Sequence, residues 1–256
     1  MHLSIAFLVL ALAVLPTRPA SAEGLVIAAA ASLREPVQAL AKLFETQHPG
    51  ATVGVSFGAS SNLARQIRLG APIDVFISAD EERVIDLVRR NLVAPTDHFR
   101  IASNRLVVIA PRATAAPIDR PQDLLDPAFE RIALPSAAVP LGGYARRWLS
   151  TKQILEPLGP RLVHTEHARA SLVAVEHNHA DAALVYASDA RLARASAIIY
   201  RIPASEQPSI VYAAALMRAA RRSSLAMEFY RALGGAPARQ LLDRAGFVVP
   251  GPGGEE

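Results

Sequence analysis

Short apolar runs alternate with amphipathic stretches along the chain, and that pattern predicts an α/β fold. Residues 25–31 form an uninterrupted apolar run with the length of a buried strand. Val37, Leu40, Ala41 and Phe44 then fall at i, i+3, i+4 and i+7, one face of a helix. Val53, Val55 and Phe57 alternate as in a half-buried strand, and a short helix is predicted over 60–69. Residues 74–78 form another buried strand, with Asp80 placed to cap the helix that carries Val84, Leu87 and Val88. A second series begins at 106–110. Strands are predicted near 132–134, 162–164, 182–186, 197–202 and 210–216, and helices near 144–153 and 166–178. Two helices end the chain, one with Leu225, Phe229 and Leu233, the other with Leu241, Leu242 and Gly246 as its C′ residue.

Two successive βαβ series predict two lobes. We place lobe I at 23–104 plus 205–256 and lobe II at 105–204, so the chain crosses twice and the helical tail packs on lobe I. The irregular, proline-containing stretch 111–127 then falls inside lobe II. Residues 1–22 stand apart. The apolar run 5–15 is too short to span a membrane and is followed by Pro16 and Ala20-Ser21-Ala22, an A-x-A cleavage pattern. It predicts a cleaved signal peptide and a periplasmic mature chain beginning near Glu23, although the only basic groups ahead of the run are His2 and the amino terminus.

The chain has no cysteine, which excludes disulfides, thiolate metal sites and a cysteine nucleophile. Its formal charge is +4, and Arg18 would leave with the signal. The arginines are interleaved with acids and aromatics are 5%, a pattern of solvated surface charge and not of a nucleic-acid-binding stripe.

The candidate chemistry sits at strand-to-helix junctions rich in small and hydroxyl residues. Ala31-Ser32-Leu33-Arg34-Glu35 matches a capping box through Ser32 and Glu35, so by itself it predicts a capped helix. Gly58-Ala59-Ser60-Ser61-Asn62 is a second junction. Val139-Pro140-Leu141-Gly142-Gly143 is a third, with glycines that permit a backbone nest, and Glu166-His167-Ala168-Arg169 opens another helix. Helix N-termini carry unpaired N–H groups and a partial positive charge, and in α/β lobes they gather where ligands bind. Several facing one cleft predict an anion site.

These segments, in this order, resemble the periplasmic molybdate-binding proteins of molybdate ABC importers. The likeness is carried by Ala28-Ala29-Ala30-Ala31-Ser32-Leu33, by Phe57-Gly58-Ala59-Ser60-Ser61-Asn62-Leu63-Ala64-Arg65-Gln66-Ile67 and by Gly70-Ala71-Pro72-Ile73-Asp74-Val75-Phe76-Ile77-Ser78-Ala79-Asp80. Val139-Pro140-Leu141-Gly142-Gly143-Tyr144-Ala145 and Leu184-Val185-Tyr186-Ala187-Ser188-Asp189-Ala190 extend it through the chain. The resemblance implies a two-lobed periplasmic-binding-protein fold of type II, each lobe a mixed sheet flanked by helices, with molybdate or tungstate in the interlobe cleft. It implies hydroxyls and backbone N–H groups from Ser32 and Ser60, backbone N–H groups from Leu141 and Ala168, and the phenol of Tyr186. Leu141 stands where alanine is common and Ala168 where valine is common; both would act through the backbone. The metal would be held as its oxyanion through these residues, with no direct protein–metal ligand. No other cofactor is implied. The expected partner is the membrane permease of an ABC importer, and the expected state is a monomer.

Other readings stay open at this stage. A sulfate or organic-anion binding protein would share the fold. A serine hydrolase would need Ser32 or Ser60 beside a histidine, but the sequence lacks G-x-S-x-G, because Gly58-Ala59-Ser60-Ser61-Asn62 ends in asparagine. His164, His167, His177 and His179 are expected as solvated surface residues; His177 and His179, two apart on a helix, would point to different sides.

Overall fold

The computed structural model describes residues 24–249. The apolar run at 5–15 and the A-x-A pattern lie outside the described residues. The first series is β1 (Gly24–Ala30), α1 (Arg34–Gln47), β2 (Thr52–Gly58), α2 (Ser60–Arg68), β3 (Val75–Ser78), α3 (Glu81–Arg89) and β4 (Val93–Ser103). The second is β5 (Leu106–Pro111), β6 (Ile132–Pro135), α4 (Pro140–Thr151), α5 (Leu155–Leu158), β7 (Leu162–Thr165), α6 (Ala168–Glu176), β8 (Ala182–Tyr186), α7 (Ala187–Ala190) and β9 (Ser196–Arg201). The chain then returns through β10 (Val211–Met217) and ends in α8 (Ser224–Ala232) and α9 (Ala236–Arg244).

Two five-stranded mixed sheets result, ordered β2-β1-β3-β10-β4 and β7-β6-β8-β5-β9. Each has three parallel strands at one side, β2-β1-β3 and β7-β6-β8, followed by one strand antiparallel to both its neighbours, β10 or β5, and then an edge strand, β4 or β9. The parallel strands are joined by helical crossovers, and the interior ones β3, β6 and β8 are buried along their whole length, as strands covered on both faces require. Val75, Phe76 and Ile77 of β3 and Leu184 and Val185 of β8 are wholly buried. The chain leaves the first sheet after Ser103 and returns at Val211, so Asn104 and the segment 202–210 are the two crossings.

Local signals in the sequence account for most elements. The α1 face Val37, Leu40, Ala41 and Phe44 is buried, and the Asp80 carboxylate accepts from the Glu82 N–H to cap α3. Gly246 has φ +88° just past α9, and a side chain there would also strike Arg191. The tail packs on α1, where Phe229 meets Phe44 edge-on with centroids 5.1 Å apart.

Two local expectations are corrected, and one strand has no counterpart among the predicted elements. The Ser32/Glu35 capping box does not form: Ser32 lies in a 3₁₀ turn (Ala31–Leu33), α1 starts after Leu33 without a side-chain cap, and both side chains bond elsewhere. Gly142 and Gly143 do not form a nest with left-handed residues. They lie in the first turn of α4, where a Cβ on Gly142 would collide with the Ser136 carbonyl, so the glycine is needed for close approach. Strand β4 was not foreseen. Its alternation is broken by exposed Pro95 and Thr96 and by buried Asp97, which pairs with Arg221 at 2.9 Å, and its pairing with β10 shifts register twice. Proline and register breaks are tolerated there because β4 is an edge strand.

Candidate oxyanion-binding site

The carboxyl ends of the parallel strands of both sheets converge on one small, narrow cavity. From the first sheet come Ala30, Ala31 and Ser32 after β1, Gly58, Ala59 and Ser60 after β2, and Ala79 after β3. From the second come Val139, Pro140 and Leu141 after β6, His167 and Ala168 after β7, and Tyr186 at the end of β8. All five residues singled out in the sequence, Ser32, Ser60, Leu141, Ala168 and Tyr186, therefore line the same space. None of the lining residues is acidic, lysine or arginine.

On the first-lobe side the donors are side chains held from behind. The Ser60 hydroxyl oxygen accepts from the Ala79 N–H at 3.0 Å, which leaves its own O–H free to donate. The Ser32 hydroxyl lies 3.0 Å from the Tyr212 hydroxyl. Both serines are buried. Ser60 is also the first residue of α2, so its backbone N–H has no partner within the helix.

On the second-lobe side the donors are mainly backbone. Leu141 and Ala168 occupy the first turns of α4 and α6, where N–H groups are left over by the helical pattern. Leu141 is 1% exposed, and its side chain packs into the core. Tyr186 adds a phenol that is fully buried and has no hydrogen-bond partner among the described residues. Burial pushes that phenol well above its ordinary range, so it stays protonated and has an O–H to offer a ligand.

An ion-pair chain links the two lobes next to the cavity-lining Ala168. Arg169, in the first turn of α6, makes two bonds to Glu35 of α1, at 2.9 and 2.7 Å, and a third to buried Asp189 at 3.1 Å. Burial opposes ionisation of Glu35, but the hydrogen bond and charge of Arg169 outweigh it and hold the carboxyl below its usual range. For Asp189 burial prevails over Arg169 and raises the carboxyl to about 6. This is a two-pronged contact between elements of different sheets.

Residues 25–248 match the family model described as bacterial extracellular solute-binding protein. The chain belongs to this family. It is 32% identical to the molybdate-binding protein ModA of Escherichia coli (strain K12) over 227 residues, which cover 86% of this chain and 87% of that one. It is 32% identical to the ModA of Mycobacterium tuberculosis (strain H37Rv), covering 90% of this chain and 86% of the relative. Among solved structures, the periplasmic molybdate-binding protein of Azotobacter vinelandii superposes with a TM-score of 0.77 at 24% identity, covering 89% of this chain and all of that one, a likeness of fold.

One lining residue of this solute-binding protein was missed in its sequence. His167 was expected at the surface, yet it is only partly exposed, caps α6 by accepting the Ala170 N–H at Nδ1, and borders the cavity. Accepting at Nδ1 assigns the ring proton to Nε2. Burial, with Arg34 and Arg169 nearby, outweighs Glu166 and lowers the pKa, which favours the neutral ring. The available signal was positional, since His167 immediately precedes the predicted helix start. His177 and His179 correct another expectation: α6 ends at Glu176, Asn178 turns with φ +58°, and the two rings come to 6.2 Å. Among the described residues, no three His, Asp or Glu side chains are grouped to hold a metal ion.

Proposed function

We propose that this solute-binding protein captures molybdate or tungstate in the interlobe cavity and delivers it to the permease of an ABC importer. The observation that carries this reading is the donor set. Three hydroxyls and several helix-start N–H groups face one space that has no acidic or cationic side chain in its lining. A tetrahedral dianion offers only acceptors, and once water is removed each oxygen must regain donors. Neutral donors and helix ends provide them without a salt bridge.

Ser32, Ser60 and Tyr186 act through side chains, and Leu141 and Ala168 through the backbone. The metal reaches the protein only as its oxyanion, so no protein atom ligates it and no further cofactor takes part. A donor-only lining disfavours hydrogenphosphate, whose proton finds no acceptor. Sulfate satisfies the same donors and must be rejected by size. The two lobes, divided at Asn104 and in the 202–210 segment, close over the anion by a hinge motion, and the Glu35–Arg169 contact forms as they meet. The chain binds and hands over its ligand and catalyses no reaction. It works in the periplasm as a monomer, exported by the segment at 1–22.

The test is a thermal-stability titration of anion-free protein with molybdate, tungstate, sulfate and phosphate. A ligand at a hundred times its dissociation constant adds about 2.7 kcal/mol to the native state. The expected result is a large shift with micromolar molybdate and tungstate and none with the same concentration of sulfate or phosphate. Absence of a shift with molybdate and tungstate at millimolar concentration overturns the substrate assignment.

A further inference from the structure

We propose that Tyr212, oriented by Asn104, donates to the Ser32 hydroxyl and so aims the Ser32 O–H at the ligand, and is thereby a positioning residue for oxyanion selectivity. The inference deepens the molybdate reading and rests on it.

The bond directions follow by elimination. Asn104 is buried at the crossing between β4 and β5. Its Oδ1 accepts the Arg105 N–H at 2.9 Å, which fixes the orientation of the amide. Nδ2 is then turned to the Ser188 hydroxyl, at 2.8 Å, and to the Tyr212 hydroxyl, at 3.5 Å. An amide nitrogen only donates, so the phenolic proton of Tyr212 cannot go there. Of the two hydrogen bonds that the Tyr212 hydroxyl makes, the one able to take this proton is that to the Ser32 hydroxyl oxygen, at 3.0 Å. Tyr212 is wholly buried, so a proton turned elsewhere would be an unpaired buried donor. Burial also holds the phenol well above its ordinary range, which keeps the proton in place.

With Tyr212 donating to one lone pair from behind, the Ser32 O–H is turned away from Tyr212 and left for the cavity. The chain of donors runs Asn104 to Tyr212 to Ser32 to ligand, each bond polarising the next. Ser60 reaches the same state by a different route, through the Ala79 N–H. A backbone donor cannot be removed by a side-chain change, whereas the Tyr212 hydroxyl can. Without it the Ser32 hydroxyl is free to rotate and accept a proton from a protonated oxyanion.

The experiment is a double-mutant cycle read by calorimetry with molybdate and with phosphate, starting from the unmodified chain. Tyr212→Phe keeps the ring that packs edge-on against Tyr186 and Phe247. It is expected to weaken molybdate binding about tenfold and to narrow the preference for molybdate over phosphate. In a Ser32→Ala background the same change is expected to leave molybdate affinity unaltered, whereas in a Ser60→Ala background its effect persists in full. Tyr212→4-aminophenylalanine, which retains an N–H to donate, is expected to restore both affinity and preference, and it carries the same cycle if Tyr212→Phe does not melt cooperatively. Additive effects of Tyr212→Phe and Ser32→Ala, or an unchanged preference, overturn the inference. Failure of the unmodified chain to bind molybdate or tungstate overturns the substrate reading and this inference with it, and that outcome is visible before any variant is made.

Discussion

The two walls of the cavity are built by different means. The first-lobe wall offers serine hydroxyls held from behind, Ser60 by the Ala79 N–H and Ser32 by the Tyr212 hydroxyl, so its chemistry depends on side-chain identity. The second-lobe wall offers chiefly the starts of α4 and α6, where Leu141 and Ala168 contribute peptide groups present whatever the side chain. The first wall is specified residue by residue, whereas the second is specified by where helices begin. Apart from Tyr186, whose phenol faces the cavity, side chains on the second wall can serve packing, which is where Leu141 goes.

The strongest way to break this contrast is Leu141→Ala. It removes a buried side chain, so it is expected to lower the melting stability by about 2–5 kcal/mol. Molybdate affinity, measured under conditions where the variant is folded, should change by less than about 1 kcal/mol because the N–H remains. A large loss of affinity with stability intact would put the leucine side chain itself in the site.

The next two changes should be equal in size though opposite in kind. Ser60→Ala removes a first-wall hydroxyl and is expected to cost about 1–3 kcal/mol of binding free energy. Ala168→Pro removes a second-wall N–H while leaving α6 able to form. Proline is tolerated at the first helical position, and His167 ahead of it is already extended (φ −157°, ψ 174°). It should cost a similar amount, with the ligand-free melting temperature little altered. Calorimetric titration reads both, and unchanged affinity in either variant removes that residue from the site.

The support behind the second wall should show in the pH profile. The Asp189 carboxyl is raised from 3.8 to about 6 in the fold. Its contribution to stability is therefore fully present below 3.8 and is lost as the pH rises through about 6. Relative to Asp189→Asn, the unmodified ligand-free protein should lose stability over that window, by at most about 1.4 kcal/mol per pH unit. Parallel melting profiles for the two would mean that Asp189 does not titrate there.

The smallest effect is expected from Glu35→Gln, which weakens the link between the walls. Glu35 is partly exposed, so its pairing with Arg169 is worth less than about 1 kcal/mol. The loss should appear mainly as faster ligand release in stopped-flow measurements and should shrink in high salt. An unchanged release rate would make the contact incidental to closure.

The walls also differed in how legible they were. Ser60 stands out because a small-residue junction follows an alternating strand and precedes an amphipathic helix, and the helix begins at Ser60 as expected. Leu141 and Ala168 were reached through the resemblance, because nothing in an apolar side chain announces that its peptide group is used. For Ser32 the local pattern pointed to a capping box with Glu35, and the fold turned both side chains to distant partners, Tyr212 at 180 positions away and Arg169 at 134. His167 was similarly underread, since a cap contact looks like surface polarity until the neighbouring lobe is in place.

The sequence by itself determined the elements and their order, because hydrophobic periodicity, the Asp80 cap and Gly246 act within a few residues of where they stand. It also determined the absence of thiol chemistry, since there is no cysteine. Only the tertiary structure decided which groups stand behind each hydroxyl, which ion pair spans the lobes and why β4 tolerates a proline and a buried aspartate. Those outcomes depend on groups far apart in the chain, and only packing the two sheets together brings their hydrogen-bonding needs into one space.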